Sequence, residues 1–211
     1  AREMGIPSPL DEAPALALGA SDVTLLELVG AYTTVADDGR THPPVLVEYI
    51  TDSSGKEVYR SETTATTVLS YRTAFLMQQM LQAGRIDAGG TSQALNAYIT
   101  PAMYDTDFGG KTGTSNNHSD AWFVCATPRL VVGAWVGGEY RSIHFRTGQL
   151  GQGNRTALPI CGYFLQSVLG DKQFSRYHAK FKRPADATQT DWNCTGYFRA
   201  AADSDSIAAD S

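Results

Sequence analysis

Residues 108–124 read FGGKTGTSNNHSDAWFV, and the fold prediction starts from them. Lys111 follows two glycines and is itself followed by two threonines, in a run with the composition of a β-strand. A lysine ammonium buried in such a run without an anion would be strongly unfavourable. Glycines weaken a strand and often mark a place where another backbone comes close. The pattern therefore predicts a strand that binds a peptide carboxylate along its edge by β-strand addition.

The residues that follow predict an antiparallel sheet of three strands over residues 108–138. Its strand-like runs are separated by SNNHSD and by a turn at residues 127–128, connections short enough for neighbouring antiparallel strands. The runs AWFVCA and LVVGAWV are almost continuously apolar, which is typical of strands covered on both faces, so we expect helices on both sides. Four side chains are predicted to lie in the core: Trp122, Phe123, Trp135 and, as a buried unreactive thiol, Cys125.

Three stretches have the apolar spacing of helices that flank such a sheet. The first covers residues 21–36 with a cap at Ser21, the second begins near Ser70 and ends at Gly84, and the third covers residues 156–169. Their predicted core-facing stripes are Leu25, Leu28, Val29, Tyr32, Val35 and Ala36; Leu76, Met77, Met80 and Leu81; and Ile160, Phe164, Leu165, Val168 and Leu169. Residues 45–60 predict a peripheral β-hairpin that turns at residues 52–55.

Composition narrows the class of protein. The 211 residues carry a net charge of -5 and no segment rich in Lys or Arg, which argues against nucleic-acid binding. No run approaches the 18 apolar residues of a membrane span. The cysteines (Cys125, Cys161 and Cys194) and the four histidines lack the spacing of a metal site, so we expect no bound metal.

At the level of motifs, GGKTGTSNNHSDAWFVCATPRLVVGAWVGG resembles the third-motif region of the transpeptidase domain in class A penicillin-binding proteins. MGIPSPL and PALALGASDVTLLELVGAYTTVADDG resemble a helical segment of the same family, so the likeness covers residues 4–170. It implies an α+β fold with an antiparallel sheet flanked by helices, part of the penicillin-binding transpeptidase (serine β-lactamase-like) fold. Residues 171–211 then form a C-terminal extension, whose extreme end we expect to be disordered.

The resemblance implies a peptidoglycan D,D-transpeptidase that cross-links stem peptides through an acyl-serine, with no cofactor. Lys111 and Thr114 are its expected catalytic residues, and Lys111, Thr112, Gly113 and Thr114 its expected substrate-binding residues. Lys111 would hold the substrate carboxylate and assist proton movement. The hydroxyls of Thr112 and Thr114 would bind the carboxylate of a stem peptide or β-lactam antibiotic. The Thr114 N–H would stabilise the oxyanion, and Gly113 would let the acyl group approach.

The other two motifs of such enzymes have only imperfect matches here. Residues 53–56, SSGK, fit S-x-x-K, but a hairpin turn does not place serine and lysine on one helical face. Residues 115–117, SNN, fit the second motif but directly follow the K-T-G strand, so we expect a solvated turn, with His118 solvated and Asp120 acting as a cap. The family places both motifs before MGIPSPL. We therefore expect the C-terminal portion of a transpeptidase domain, inactive alone and completed by an N-terminal remainder of the same protein.

Two other functions stay open. A serine β-lactamase shares the K-T-G motif and the fold, and a non-catalytic cell-wall-binding scaffold would keep the cleft without the serine. The flanking segments favour the transpeptidase. The resemblance also implies a location at the periplasmic, extracytoplasmic face of the bacterial inner membrane, through an anchor that is not in this chain.

Overall fold

The computed structural model describes residues 1–185, and the predicted disorder at the extreme C-terminus falls outside them. The α-helices are α1 (Leu25–Ala36), α2 (Tyr71–Ile86), α3 (Gly148–Gly151) and α4 (Ala157–Gly170). The strands are β1 (Arg40–Thr41), β2 (Tyr49–Thr51), β3 (Glu57–Arg60), β4 (Thr66–Thr67), β5 (Gly109–Thr114), β6 (Asp120–Ala126) and β7 (Val131–Gly137). Short 3₁₀ segments cover Arg2–Met4, Pro14–Leu18, Gln93–Ala97, Pro101–Met103 and Lys172–Tyr177.

The central sheet is the predicted antiparallel meander, with strand order β5-β6-β7. Lys111 pairs with Val124 and Gly113 with Trp122, while Thr112 pairs with Phe123. Because successive side chains of a strand point to opposite faces, Lys111 lies on the face of Trp122, and the two threonines of β5 lie on the face of Phe123. β5 is an edge strand of this sheet, so one side of its backbone has no strand partner among residues 1–185.

Helices cover both faces of the sheet, which confirms the prediction. α1 packs on β7 through Gly133, where an added Cβ would lie 2.4 Å from Val29 Cγ2. α4 packs on the opposite face around Phe123, whose side chain is fully buried. The main buried cluster contains Leu95, Met103, Phe108, Phe123, Cys125, Ala134, Ala157, Leu158, Cys161, Leu165 and Leu169. The sheet is therefore fixed between two helical layers.

The first helix starts at Leu25, four residues later than Ser21, and this corrects the predicted cap. Thr24 is the N-cap, and its Oγ1 accepts from the Glu27 N–H at 3.2 Å. Glu27 Oε2 accepts in turn from the Thr24 N–H at 2.7 Å, which completes a capping box. Glu27 also accepts from the N–H and hydroxyl of Ser8, at 2.9 and 2.8 Å, and so ties the N-terminal segment to α1.

The bonds to Glu27 predict a pH-dependent contribution to stability. They lower its pKa from 4.5 to about 2, with the Thr24 backbone N–H as the largest cause and Ser8 next. Because the folded-state pKa is depressed, the ionised carboxylate stabilises the fold above pH 4.5, and this contribution is lost as the pH falls toward 2. We expect Glu27→Gln to lower the melting temperature at pH 7 and to approach the unsubstituted protein as the pH falls. A melting difference that stays constant over this range would contradict the expectation.

The second helix begins at the predicted cap, Ser70, but presents a different face to the core. Met77 and Met80 are exposed, whereas Ala74 and Gln78 are buried, so the predicted stripe is wrong in part. The Gln78 side-chain amide donates to Val35 O of α1 at 2.8 Å, and this polar contact turns the methionines outward. The helix also continues past Gly84 to Ile86.

The third predicted helix is found at Ala157–Gly170, again with a rotated stripe. Ile160 and Phe164 are 54% and 49% exposed, while Leu165 and Leu169 are buried as predicted. Gly162 lies against the Tyr98 ring, where an added Cβ would come within 2.6 Å of ring carbons. Because Gly162 is the residue that packs on Tyr98, the helix is rotated so that the larger side chains of Ile160 and Phe164 point to solvent.

The predicted hairpin is formed by β2 and β3, and all of its strand residues are exposed. Asp52 Oδ1 accepts from the Ser54 N–H at 2.8 Å and from the Lys56 N–H at 3.0 Å. The S-x-x-K match at residues 53–56 therefore lies in a solvent-exposed turn, as predicted.

The two described cysteines are buried free thiols, in agreement with the prediction for Cys125. Burial raises the pKa of Cys161 to about 12 and raises the pKa of Cys125 as well. Both thiols therefore stay protonated and unreactive at neutral pH. None of the helices within residues 1–185 combines the length and the hydropathy that a membrane-spanning segment requires.

The first described part of the C-terminal extension packs against the segment that leads into β5. His178 Nδ1 lies 2.5 Å from Asp105 Oδ1, and the Asp107 N–H donates to Ala179 O at 3.0 Å. The Phe181 N–H donates to the Asp107 carboxylate at 2.9 Å. These contacts hold residues 178–181 beside the start of the edge strand.

Candidate active site

The first half of the β5 edge is closed by α2 and the loop that follows it. Arg85 Nε donates to Phe108 O at 3.4 Å, and Ser92 Oγ donates to Gly110 O at 2.8 Å. Gly109 lies so close to α2 that an added Cβ would come within 2.7 Å of Leu81 Cβ. Gly109 is therefore required by the approach of α2, whereas an added Cβ at Gly110 would meet the Phe123 ring at 2.9 Å. The sequence indicated a close backbone approach here, and at Gly109 it is made by α2 of the same chain.

From Lys111 onward, the same edge is open. The carbonyl of Thr112 accepts from the Lys111 ammonium at 2.5 Å, and the Ser115 N–H donates back to Asp120 O of β6 at 3.0 Å. Residues of antiparallel strands alternate between bonding to the partner strand and pointing away from it. The N–H groups of Thr112 and Thr114 therefore point outward. An extended chain arriving at this edge would find two backbone donors.

The side chain of Lys111 is exposed, and its ammonium forms no salt bridge with a carboxylate of residues 1–185. Its described bond is the short one to its neighbour's carbonyl. A solvated ammonium in this position is available to an anion. A hydrogen bond from this ammonium to a carboxylate is stronger than its bond to a neutral carbonyl.

The two threonine hydroxyls each have one protein partner. Thr112 Oγ1 donates to Thr91 Oγ1 at 2.8 Å, and Thr114 Oγ1 accepts from the Gly153 N–H at 3.1 Å. The structure thus brings together all four residues expected from the K-T-G motif and adds Thr91 and Gly153. Neither of these was predicted as a site residue. The Gly-rich connector around Thr91 was the one available signal, since such loops accompany close backbone approaches.

The loop before α4 forms a wall beside the end of β5. At Gly153, an added Cβ would lie 2.3 Å from Trp122 O and 2.6 Å from Gly113 O. The Leu158 N–H donates to Gly153 O at 2.8 Å, so the loop is anchored to the first turn of α4 as well. Because no side chain fits between this loop and the strands, backbone lies directly on backbone next to the Thr114 hydroxyl.

The two tryptophans lie on the Lys111 face, at the end of the sheet next to Gly113. Their ring centroids are 6.3 Å apart, and Trp135 is 40% exposed, so its predicted core position is wrong. A hydrogen bond explains this exposure: Trp135 Nε1 donates to Asp120 Oδ1 at 3.0 Å, which holds the indole at the edge of the sheet face. Asp120 therefore bonds both to the indole and to the loop after β5, since its Oδ2 accepts from the Ser119 hydroxyl at 2.7 Å.

The turn after β5 is formed by its own hydrogen bonds. Ser115 Oγ donates to Asn117 Oδ1 at 3.1 Å, and this agrees with the predicted turn at residues 115–117. His118 has a positive φ of 60° and packs against Gly151, so the expected solvation is wrong. Its Nδ1 is buried without a hydrogen-bond partner among residues 1–185.

The site is an open edge and not an enclosed cavity. Cavities of about 370 and 270 Å³ lie elsewhere, beside the N-terminal segment and beside Arg85. Within residues 1–185, no group of three or more His, Cys, Asp and Glu side chains is arranged to hold a metal ion. The chemistry of the edge is therefore that of an ammonium, hydroxyls and backbone N–H donors, a set that suits an extended peptide with a carboxylate.

Comparison with known proteins supports this interpretation. The model of the penicillin-binding protein transpeptidase domain matches residues 7–129. Penicillin-binding protein 2D of Bacillus subtilis is 31% identical over 138 residues, which are 65% of this chain and 20% of that protein. Penicillin-binding protein 1A of Rickettsia conorii is 27% identical over 186 residues, 81% of this chain and 23% of that protein. The chain thus spans about a fifth of the length of these relatives.

A solved structure shows the same fold. The crystal structure of penicillin-binding protein 1A from Haemophilus influenzae superposes with a TM-score of 0.71 at 24% identity, over 87% of this chain and 31% of that one. The predicted α+β fold, a partial serine β-lactamase-like transpeptidase fold, is confirmed, and so is the resemblance to class A proteins. The family match covers more than half of the sequence and includes the complete β5 strand. The chain belongs to the penicillin-binding protein transpeptidase family.

Proposed function

We propose that the chain forms the substrate-binding side of a peptidoglycan D,D-transpeptidase cleft. A serine oxygen attacks the carbonyl between the two terminal D-alanines of a stem peptide. The acyl-serine forms, and D-alanine leaves with the proton that the serine lost. The amine of a second stem peptide then attacks the acyl carbon and restores the serine hydroxyl. No step requires a metal or an organic cofactor, because general acid and base catalysis with an oxyanion hole suffices for acyl transfer.

The open edge of β5 is the observation that carries this proposal. An extended stem peptide can add to the edge as a strand and use the outward N–H groups of Thr112 and Thr114. The Thr114 N–H then lies where it can donate to the oxyanion, while Gly113 keeps the strand free of side-chain bulk. The exposed Lys111 ammonium attracts the terminal carboxylate. β-Lactam antibiotics, which also carry a carboxylate beside a reactive carbonyl, would bind in the same way.

The nucleophile is proposed to come from sequence outside these 211 residues. Within residues 1–185, no helix carries an S-x-x-K, and the match at residues 53–56 lies in an exposed turn far along the chain from β5. The 211 residues alone are therefore expected to be inactive and to need the remainder of the polypeptide as a partner. We place the reaction at the periplasmic face of the bacterial inner membrane, with the anchor also outside this chain.

Labelling with a fluorescent penicillin tests the proposal. The complete polypeptide is expected to show a covalent band that survives denaturation, and the 211-residue chain is expected to show none. Absence of a band from the complete polypeptide would contradict the proposed function and favour a non-catalytic scaffold. Rapid turnover of a chromogenic cephalosporin, without an accumulating band, would instead indicate a β-lactamase.

A further inference from the structure

The guanidinium of Arg85, in the last turn of α2, is partly buried next to neutral oxygens. Its Nε donates to Phe108 O at 3.4 Å, and its Nη1 donates to Asn96 Oδ1 at 2.8 Å. Within residues 1–185, Arg85 forms no salt bridge and its Nη2 has no hydrogen-bond partner. Burial lowers the pKa of Arg85, and the negative charge of Asp107 opposes this shift. A positive charge is thus partly withdrawn from water without a paired anion, which is unfavourable.

A cavity of about 270 Å³ lies beside this guanidinium. Its wall is formed by the end of α2, by the segment that leads into β5 and, from the C-terminal extension, by Lys180. Asn96 and Thr106 are polar residues of the same wall. Pockets for drug-sized ligands measure roughly 300–1,000 Å³, so this cavity suits a smaller molecule.

The charges around the cavity do not balance. Lys180 Nζ lies 3.2 Å from Asp107 Oδ1 and donates to Tyr104 O at 2.8 Å. Asp107 Oδ2 accepts in addition from the Phe181 N–H at 2.9 Å. Among the described residues of the wall, Asp107 carries the one carboxylate, and it is already paired with the Lys180 ammonium. The positive charge of Arg85 therefore remains uncompensated.

We propose that this cavity binds a small monocarboxylate, which the Arg85 guanidinium holds and the Lys180 ammonium attracts. The planar guanidinium matches the two oxygens of a carboxylate, and its Nη2 is available to donate. One excess positive charge is neutralised by a monoanion, whereas a phosphate dianion would leave the site negative. The cavity lies beside Phe108, before β5 begins, so it is a second anion site outside the proposed transpeptidase cleft.

Saturation-transfer NMR on the complete polypeptide tests this site with propionate and with propionamide, its neutral isostere. The measurement uses the Lys111→Ala variant, so that the ammonium of the β5 edge offers no competing carboxylate site, and sodium chloride holds the ionic strength constant. We expect a saturable signal from propionate and about fivefold weaker binding of propionamide, because the charge-assisted hydrogen bond is lost. Absence of a saturable propionate signal, or equal binding of the two probes, would overturn the inference.

Substitutions in the wall then locate the bound carboxylate. Arg85→Lys keeps the charge but loses the planar fork, and should weaken propionate binding about tenfold. Because Arg85 also bonds to Phe108 O, two variants that leave it in place give an independent test. Lys180→Gln should weaken binding about threefold, and Asp107→Asn should strengthen it about threefold, since they remove charges of opposite sign from the same wall.

Lys182→Gln is the matched control for Lys180→Gln. It removes the same charge from an exposed position of the same segment, but Lys182 does not line the cavity, so propionate binding should not change. An equal loss in the Lys180→Gln and Lys182→Gln variants would indicate unspecific attraction by surface charge and would overturn the inference. Unchanged affinity in Arg85→Lys, or weaker binding in Asp107→Asn, would overturn it as well. None of these results depends on acyl transfer, so the proposed function stands or fails separately.

Discussion

Lys111→Ala in the complete polypeptide is expected to slow acylation by a penicillin about a hundredfold, or ~2.7 kcal/mol in transition-state stabilisation. The ammonium is exposed and forms no salt bridge within residues 1–185, so it contributes little to the fold and its charge is free for a ligand. Its removal should raise the penicillin concentration needed for half-maximal labelling. The melting temperature should stay almost unchanged, because the side chain donates only to the adjacent carbonyl.

Lys56→Ala is the matched control for this prediction. Lys56 is also an exposed lysine, and it belongs to the S-x-x-K match in the β2–β3 turn. If residues 53–56 are no more than a turn, its substitution will leave the acylation rate unchanged. A loss of acylation in Lys56→Ala, with Lys111→Ala unaffected, would reverse the assignment of the two lysines.

Gly153→Ala is expected to lower the free energy of unfolding by about 3 kcal/mol, in the upper range for an overpacked site. The new Cβ would lie 2.3 Å from Trp122 O and 2.6 Å from Gly113 O, and neither backbone carbonyl can rotate away. The loop must therefore move off the sheet, which removes the bond from the Gly153 N–H to Thr114 Oγ1. Urea unfolding should show the loss of stability, and penicillin acylation should slow because Thr114 is released.

Gly30→Ala, at a second glycine, is expected to raise the free energy of unfolding instead of lowering it. Gly30 lies in the interior of α1, and nothing occupies the space that a Cβ would take. Alanine should therefore stabilise the helix by up to about 1 kcal/mol through its higher helix propensity. If Gly153→Ala were as stable as the unsubstituted protein, the loop would not be held against β5 and β6 as described.

The central sheet was predictable because its signals are local. Short polar connections between apolar runs specify antiparallel neighbours, and continuous apolar strands specify helices on both faces. The glycines before Lys111 indicated a close approach, which α2 makes at Gly109 and the Phe123 ring makes at Gly110. The predicted N-cap of α2, Ser70, is confirmed. The N-cap of α1 is Thr24 and not the predicted Ser21, because Thr24 forms a capping box with Glu27.

The buried face of each helix and the hydrogen-bond partners of the site residues could not be predicted, because both depend on tertiary contacts that hydrophobic periodicity does not report. Met80 and Ile160 are exposed because buried Gln78 and close-packed Gly162 turn their helices by part of a revolution. Trp135 lies at the rim because Asp120, fifteen positions earlier, accepts from its indole. Thr91 meets β5 from twenty-one positions away through a single hydrogen bond, and no local pattern predicts such a bond.

The seam between α2 and β5 has a mechanical consequence for the site. An added Cβ at Gly84 would lie 3.2 Å from Gly110 O, and one at Gly109 would lie 2.7 Å from Leu81 Cβ, so neither glycine has a rotamer that could change to absorb a displacement. A displacement of the C-terminal end of α2 would therefore move the peptide group between Gly110 and Lys111 directly. The segment before α4 is held just as closely at Gly153, so any adjustment to a bound ligand would fall on the polar turn after β5.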